Sequence, residues 1–311
     1  MKLKKSMLLW ESREVFEMRR RMLPALFCSL LIVSMLPLSA SADMGPKPSV
    51  TVTVEGVEAD TVYYATLLSS EPSNGPLSAY NESETTPYDE DPVRYDVLQK
   101  FAQYQDVDGY YFLPQFWVCQ GEDTFVWGYY PPDPFKVLLY FPAEERFVVS
   151  QSYTAYAFDS YYTIRLEYGS LPAEGLPIAA EESYDHSGEA LNFTVRLLLT
   201  TALEMVIALI FGLRERKQLL FIGVVNVLTQ VLLNLALNLS AYYNGEWAAT
   251  GTYVLLEVCV CVGEALLYVY LLPRFSQNRV DTGRAVGYAV VANAASFAAG
   301  LGLAHLIPGV F

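Results

Sequence analysis

The stretch LLEVCVCVGEALLY, residues 255–268, decides how the chain is to be read. It is apolar enough to sit in a lipid bilayer, yet it holds two carboxylic acids, Glu257 and Glu264. Seven residues at ~100° each return to within ~20° of the same helix face, so both acids share one side. A charged side chain at the bilayer centre costs about 2.5–3.5 kcal/mol on insertion scales. The acids must therefore turn away from lipid and meet polar partners, and a single helix cannot provide that. The stretch predicts a helical bundle with a polar interior.

The neighbouring sequence supplies the bundle. Apolar stretches at about 193–213, 219–239, 253–272 and 285–306 are each long enough to cross a hydrocarbon core of ~30 Å at 1.5 Å per residue. Glu204 falls mid-way along the first. The second carries Asn226, Gln230 and Asn234 at four-residue intervals, with Thr229 beside them. The fourth carries Asn293 and Ser296 on one face and is otherwise rich in Ala and Gly, which permit close helix approach. Glu204, Asn226, Thr229, Gln230, Glu264, Asn293 and Ser296 are expected at mid-depth, with Glu257 and Asn234 together in the outer half. Two readings of this layer stand side by side. Neutral acids can lock the helices together by hydrogen bonds, or the layer can hold a proton or cation.

Loop charge sets the direction. The first loop carries Arg214, Arg216 and Lys217, and the third carries Arg274, Arg279 and Arg284. The second loop has no Lys or Arg. Cationic loops stay cytoplasmic, which places residues 43–190 and the C-terminus outside the plasma membrane in a multi-pass protein. The N-terminus agrees. Arg19, Arg20 and Arg21 precede an apolar run at 23–36 and the small residues Ala40-Ser41-Ala42, the pattern of a signal peptide over 1–42, with Met18 or Met22 as alternative starts.

Acidity is confined to the middle of the chain. Residues 43–190 hold 25 Asp/Glu against 6 Lys/Arg. This disfavours nucleic acid and anionic lipid surfaces as partners and leaves a cation, a basic peptide or a glycan as possible ligands. Between 43 and 168 short alternating runs read as strands: Val50, Val52 and Val54 alternate with Thr51, Thr53 and Glu55, and further runs follow at 62–68, 125–130, 135–141, 146–150 and 161–168. They predict an antiparallel β-sandwich-like domain interrupted by one helix, which Asp91 caps and Pro92 opens. Residues 169–190 read as an acidic tether to the transmembrane domain, 191–311.

The aromatic residues Tyr110, Tyr111, Trp117, Trp127, Tyr129 and Tyr130 are candidate ligand-facing groups, or else strand core. Asp106-Val107-Asp108-Gly109 begins like a calcium loop but lacks the later acidic ligands, so it reads as a turn. Cys119 stands alone in this domain, and Cys259 and Cys261 point to different sides of a helix. No metal site, cofactor loop or nucleophile motif is present, and no enzymatic activity or cofactor is expected.

The segment Asp43-Met44-Gly45-Pro46-Lys47-Pro48-Ser49, together with Tyr63-Tyr64-Ala65-Thr66-Leu67-Leu68, Asp108-Gly109-Tyr110-Tyr111-Phe112 and Tyr129-Tyr130-Pro131-Pro132, resembles a functionally unassigned family of signal-bearing membrane proteins of Gram-positive anaerobic bacteria. The resemblance runs along the whole chain after residue 42. It implies the same order of signal, Tyr-rich exported domain and four C-terminal helices, and transfers no catalytic or binding residue. The Glu-Glu-x-x-x-Arg and His motifs of CAAX-type intramembrane proteases are missing. The functional expectation is a ligand-binding, sensing or accessory protein of the cell envelope, with a membrane-protein partner or a second copy of itself. The alternative is a small oligomeric ion- or proton-coupled transporter using the intramembrane layer.

Overall fold

A computed structural model describes residues 46–81, 86–88, 90–167, 171–172, 175–278 and 280–306. The expected signal segment, residues 43–45, Arg279 and the C-terminal residue lie outside these. The chain divides into two compact units between Asp185 and His186.

The first unit is β-rich. One sheet contains β1 (Ser49–Glu55), β7 (Asp123–Trp127), β10 (Asp159–Arg165) and β11 (Ala180–Glu182), in the order β11-β10-β1-β7. The other contains β2 (Val62–Ser69), β5 (Tyr111–Phe112), β6 (Trp117–Gln120), β8 (Phe135–Phe141) and β9 (Arg146–Val149), in the order β5-β2-β8-β9 with β6 also on β2. Two short strands, β3 (Ser73–Asn74) and β4 (Leu77–Ser78), pair separately. Period-2 alternation drives the packing. Val50, Val52 and Val54 are fully buried while the residues between them are half-buried. They share one core with Phe125, Trp127, Tyr162 and Ile164 of their own sheet and with Tyr63, Ala65, Leu67, Val137, Leu139 and Phe141 of the other. Each fully buried aliphatic or aromatic side chain there contributes about 1.5–3 kcal/mol.

The second sheet is covered on its other face by α1 (Pro92–Gln103). Asp91 Oδ1 accepts from the backbone N–H groups of Val93 and Arg94 at 3.1 and 3.2 Å, and Pro92 needs no hydrogen bond in the first turn. Val97, Leu98 and Phe101 then bury against Tyr64, Leu68, Leu138 and Tyr140. Coverage on both faces explains why all seven residues of β8, FKVLLYF, are buried without alternation.

Two expectations are corrected. The sheet is not wholly antiparallel: β1 and β10 run parallel, with Val50 opposite Ser160 and Val54 opposite Ile164. Alternation marks which face is buried but is the same in either strand direction, so the sequence pattern could not separate the two cases. The acidic stretch is also not a free tether along its length. Ala180–Glu182 adds an edge strand to β10, and Ile178 bridges Ser150.

The second unit is helical: α2 (His186–Ile210), α3 (Arg216–Asn244), α4 (Glu246–Tyr270), a 3-10 turn (Leu272–Phe275) and α5 (Thr282–Leu306). Among the described residues three helices are long and apolar enough by composition to cross a membrane: α2, α3 and, from Trp247, α4. The fourth expected span coincides with α5, which is rich in Ala and Gly. Helix α2 packs on α3 and α5, and α4 packs on the same two, which closes a four-membered ring. Leu198, Ile210, Leu220 and Leu232 are exposed on its outside, while the buried set combines polar and small residues (Glu204, Asn226, Glu264, Asn293, Ala289, Ala292) with large apolar ones such as Ile222, Leu272, Tyr268 and Tyr288. At one end Glu215 ties the α2–α3 connection to the turn before α5, accepting from the backbone N–H groups of Gln277 at 2.6 Å and Asn278 at 3.1 Å. Those bonds hold its carboxyl below the usual glutamate range.

Candidate functional sites

The helical unit brings most of the anticipated polar layer together. Glu264 of α4 is 1% exposed. Its Oε1 accepts from the Thr229 hydroxyl at 2.6 Å and its Oε2 from the Asn293 amide at 2.7 Å, so three helices meet at one carboxyl group. Glu204 of α2, also 1% exposed, accepts through Oε1 from the Ser296 hydroxyl at 2.7 Å. Asn226 Oδ1 accepts from the Tyr268 hydroxyl at 3.2 Å. Asn293 and Ser296 are one helical turn apart, so the two acids bind the same turn of α5. Glu257 is buried seven residues before Glu264. Gln230 and Asn234 are buried as well, but the Asn234 amide donates to the Gln230 carbonyl at 2.8 Å within its own helix. Sequence reasoning missed Tyr268 and Tyr288, both fully buried beside the acids. Their spacing from Glu264 and from Asn293, four and five residues, carries the signal only for Tyr268.

The six candidate aromatics of the β-rich unit do not act together. Trp127 is fully buried, its ring N–H donating to the Tyr129 carbonyl at 3.1 Å, so it is core and not ligand-facing. Tyr110 lies under an ammonium group and hydrogen-bonds Ser152. Tyr111, Tyr129 and Tyr130 are exposed, the last two edge-to-face with ring centroids 4.8 Å apart.

Trp117 alone of the six lines a cleft of about 520 Å³, with Tyr80, Tyr88 and Phe116, three prolines and the polar residues Ser78, Asn81, Thr86 and Gln115. Its walls are anchored to the core. Tyr88 stacks on Phe116 at 4.4 Å, Gln99 donates to the Tyr80 hydroxyl at 2.7 Å, and Trp117 packs on Phe125 and Trp127. The Thr66 hydroxyl fixes the wall by donating to the Gln115 carbonyl at 2.6 Å. None of the described lining residues is charged, although the surrounding segment is strongly acidic. The sequence signal for the cleft was diffuse, because its rings come from separate irregular segments and the start of β6, spread from Tyr80 to Trp117.

The Asp106 turn is closed by a lysine. Lys136, the one charged residue in β8, places Nζ 2.8 and 3.0 Å from the Asp106 oxygens and 2.5 Å from Asp108 Oδ2, and 4.8 Å from the Tyr110 ring centroid. Burial works against its charge, but the two carboxylates outweigh that and hold its pKa above the ordinary lysine value. Half of the charge of the acid pair that begins like a calcium loop is thus compensated from within. Cys119 is a poor nucleophile: burial first, then the nearby Asp123, pushes its thiol up to about 12. Among the described residues no group of three His, Cys, Asp or Glu is placed to hold a metal ion.

Comparison of the chain with protein-family models, with curated proteins and with solved structures finds no match.

Proposed function

We propose that the protein is a membrane-anchored ligand-binding protein of the bacterial cell envelope. In this reading residues 1–42 are a cleaved signal, the two sheets are a β-sandwich on the outer side, and α5 joins the three apolar helices as a fourth span. The family resemblance of the Tyr-rich segment and the cationic loops support that arrangement. The observation that carries the function is the cleft. Its volume lies in the range of small-molecule sites, about 300–1,000 Å³. Aromatic faces flanked by hydroxyl and amide groups suit a neutral, hydroxyl-rich ligand, whose C–H faces stack on the rings while its O–H groups bond to the side chains. A basic peptide would find no carboxylate among the described lining residues. The stacked rings with hydroxyl and amide groups beside them favour a neutral glycan as the ligand class.

The test is calorimetric titration of the full-length protein in detergent with neutral oligosaccharides, and with basic peptides of similar size. Saturable heat is expected with the glycan, weakened at least tenfold (about 1.4 kcal/mol) by Trp117→Ala or Tyr88→Ala and unaffected by Tyr111→Ala, outside the cleft. Binding of the peptides but of no neutral glycan would refute the reading. A second reading, a small oligomeric proton- or ion-coupled transporter, draws on the carboxylates sealed in the helical core. It requires several copies, and crosslinking that yields only monomers in native membranes would remove it.

A further inference from the structure

Three buried side-chain atoms at the centre of the helical unit have no hydrogen-bond partner: Glu204 Oε2, Asn293 Oδ1 and Asn226 Nδ2. Their residues are 1%, 4% and 0% exposed. An unmet buried polar atom costs about 1–3 kcal/mol, so three in one layer mark a place where something is missing. Two of the three are oxygens that lack a donor. Both belong to residues engaged at the same turn of α5, where Ser296 binds Glu204 and Asn293 binds Glu264.

The two carboxyl groups are not equivalent. Each oxygen of Glu264 already receives a donor, from Thr229 and from Asn293, which suits a carboxylate. Glu204 has one bonded oxygen and one bare oxygen, which suits a carboxylic acid. Two ionised carboxylates sharing a low-dielectric site without a cation would repel each other as well as lose their hydration. The groups facing them offer no such cation. Helix α2 presents Glu204, and its nearest basic residue, Arg196, lies eight residues away, about 12 Å along the axis. Helix α3 presents Asn226, Thr229 and Gln230; α4 presents Glu257, Cys261 and Tyr268; α5 presents Tyr288, Asn293 and Ser296.

We propose that Glu204 and Glu264 form an exchangeable proton-binding pair inside the membrane. One proton resides on Glu204 and the negative charge on Glu264. A second proton can be taken up without rearranging the helices. The Thr229 hydroxyl has the carbonyls of Val225 at 3.0 Å and Asn226 at 3.1 Å within reach, so it can turn its proton to the backbone and accept one from Glu264 instead. A metal cation is a poorer occupant. Beside the two bare oxygens of Glu204 and Asn293 stands a bare amide N–H, that of Asn226, which repels positive charge; Thr201 Oγ1, also bare, sits one turn back on α2. Glu257, one bare oxygen included, stands about 10 Å along α4 on the face of Glu264, and is the group through which the proton leaves the pair. This inference concerns the helical unit and does not depend on a glycan filling the cleft.

Infrared difference spectroscopy on the full-length protein in vesicles tests it, with a titration from about pH 5 to pH 9, the span over which buried acids of this kind exchange protons. The expected result is a carbonyl band of a protonated carboxylic acid that shifts in D₂O and loses intensity as pH rises. Glu204→Gln should abolish that band, and Glu264→Gln should keep it but move its midpoint. Glu257→Gln should leave the midpoint and slow the exchange. A band that neither titrates nor exchanges, or no such band, makes the acids static struts or permanent anions and overturns the proposal. So does a band removed by sodium but not by choline at equal ionic strength, which would make this a cation site. The wild-type titration decides these outcomes even if a Gln variant fails to fold.

Discussion

Replacing Lys136 by Met separates a buried ion pair from the apolar strand that carries it. The Asp106 side chain is fully buried, and Lys136 supplies both of its oxygens with a charged donor. Without that ammonium, Asp106 keeps only the backbone N–H groups of Asp108 at 3.0 Å and Tyr110 at 3.4 Å. Breaking one side of a buried pair costs about 3–5 kcal/mol, and the two remaining donors place this case near the lower end, about 3 kcal/mol. At about 3 °C per kcal/mol for a unit of this size, the melting temperature of the β-rich unit should fall by about 10 °C. Emission from Trp117 and Trp127 follows that unit in the full-length protein. Adding Asp106→Leu to Lys136→Met removes the stranded charge and should recover at least half of the loss. The pH dependence has a defined sign. Because the folded pKa of Lys136 is raised, the contribution is complete below the unfolded value of ~10.4 and disappears as pH climbs through the folded one. The wild type should therefore keep its advantage over Lys136→Met at neutral pH and lose it only in strong base. A single variant costing less than about 1 kcal/mol, or a double variant losing the full sum, would refute the assignment of Lys136 as the internal counter-ion.

Gly56 has a φ of +79° and an added Cβ would fall 1.9 Å from the Leu166 carbonyl oxygen, so Gly56→Ala should destabilise the β-rich unit by about 2–4 kcal/mol in chemical denaturation. Cys119 should resist iodoacetamide at pH 8 in the folded protein and react after denaturation, as read by peptide mass mapping, because its thiol is held near 12. Glu215 has a lowered folded pKa, so its contribution is present above the unfolded value of ~4.3 and lost as pH falls through the folded one. Glu215→Gln should flatten the acid limb of helical-unit stability, measured by far-ultraviolet circular dichroism.

What the sequence revealed divides along physical lines. The polar layer of the helical unit was legible because helical periodicity converts spacing directly into facing: Glu264, Thr229 and Asn293 meet, as do Glu204 and Ser296. The roles within the layer were not legible, since only geometry shows that Glu264 has both oxygens engaged and Glu204 one. The strands were readable from alternation, and α1 from its cap and proline. Alternation could not show that β1 and β10 run parallel, nor that β8 would be covered on both faces. For Trp127 the sequence left ligand contact and strand core side by side, because a strand aromatic looks the same whether it faces solvent or core, and it is core. The cleft was hidden for a different reason. Tyr80, Tyr88 and Phe116 come from irregular segments with no period from which to infer a common direction.

The parallel pairing of β1 with β10 has a consequence for how this protein is made. β1 is a central strand whose two neighbours, β7 and β10, lie about 70 and 110 residues further along the chain. During synthesis its three valines emerge first and wait with both backbone edges open. Contacts of such sequence separation are slow to close, because the loop entropy must be met before the pairing yields anything in return. The unit cannot acquire its core until nearly all of it has been delivered, so a stalled or truncated chain would display a sticky, half-made sheet. A protein built this way favours late, concerted folding and a dependence on chaperones that shield extended segments until then.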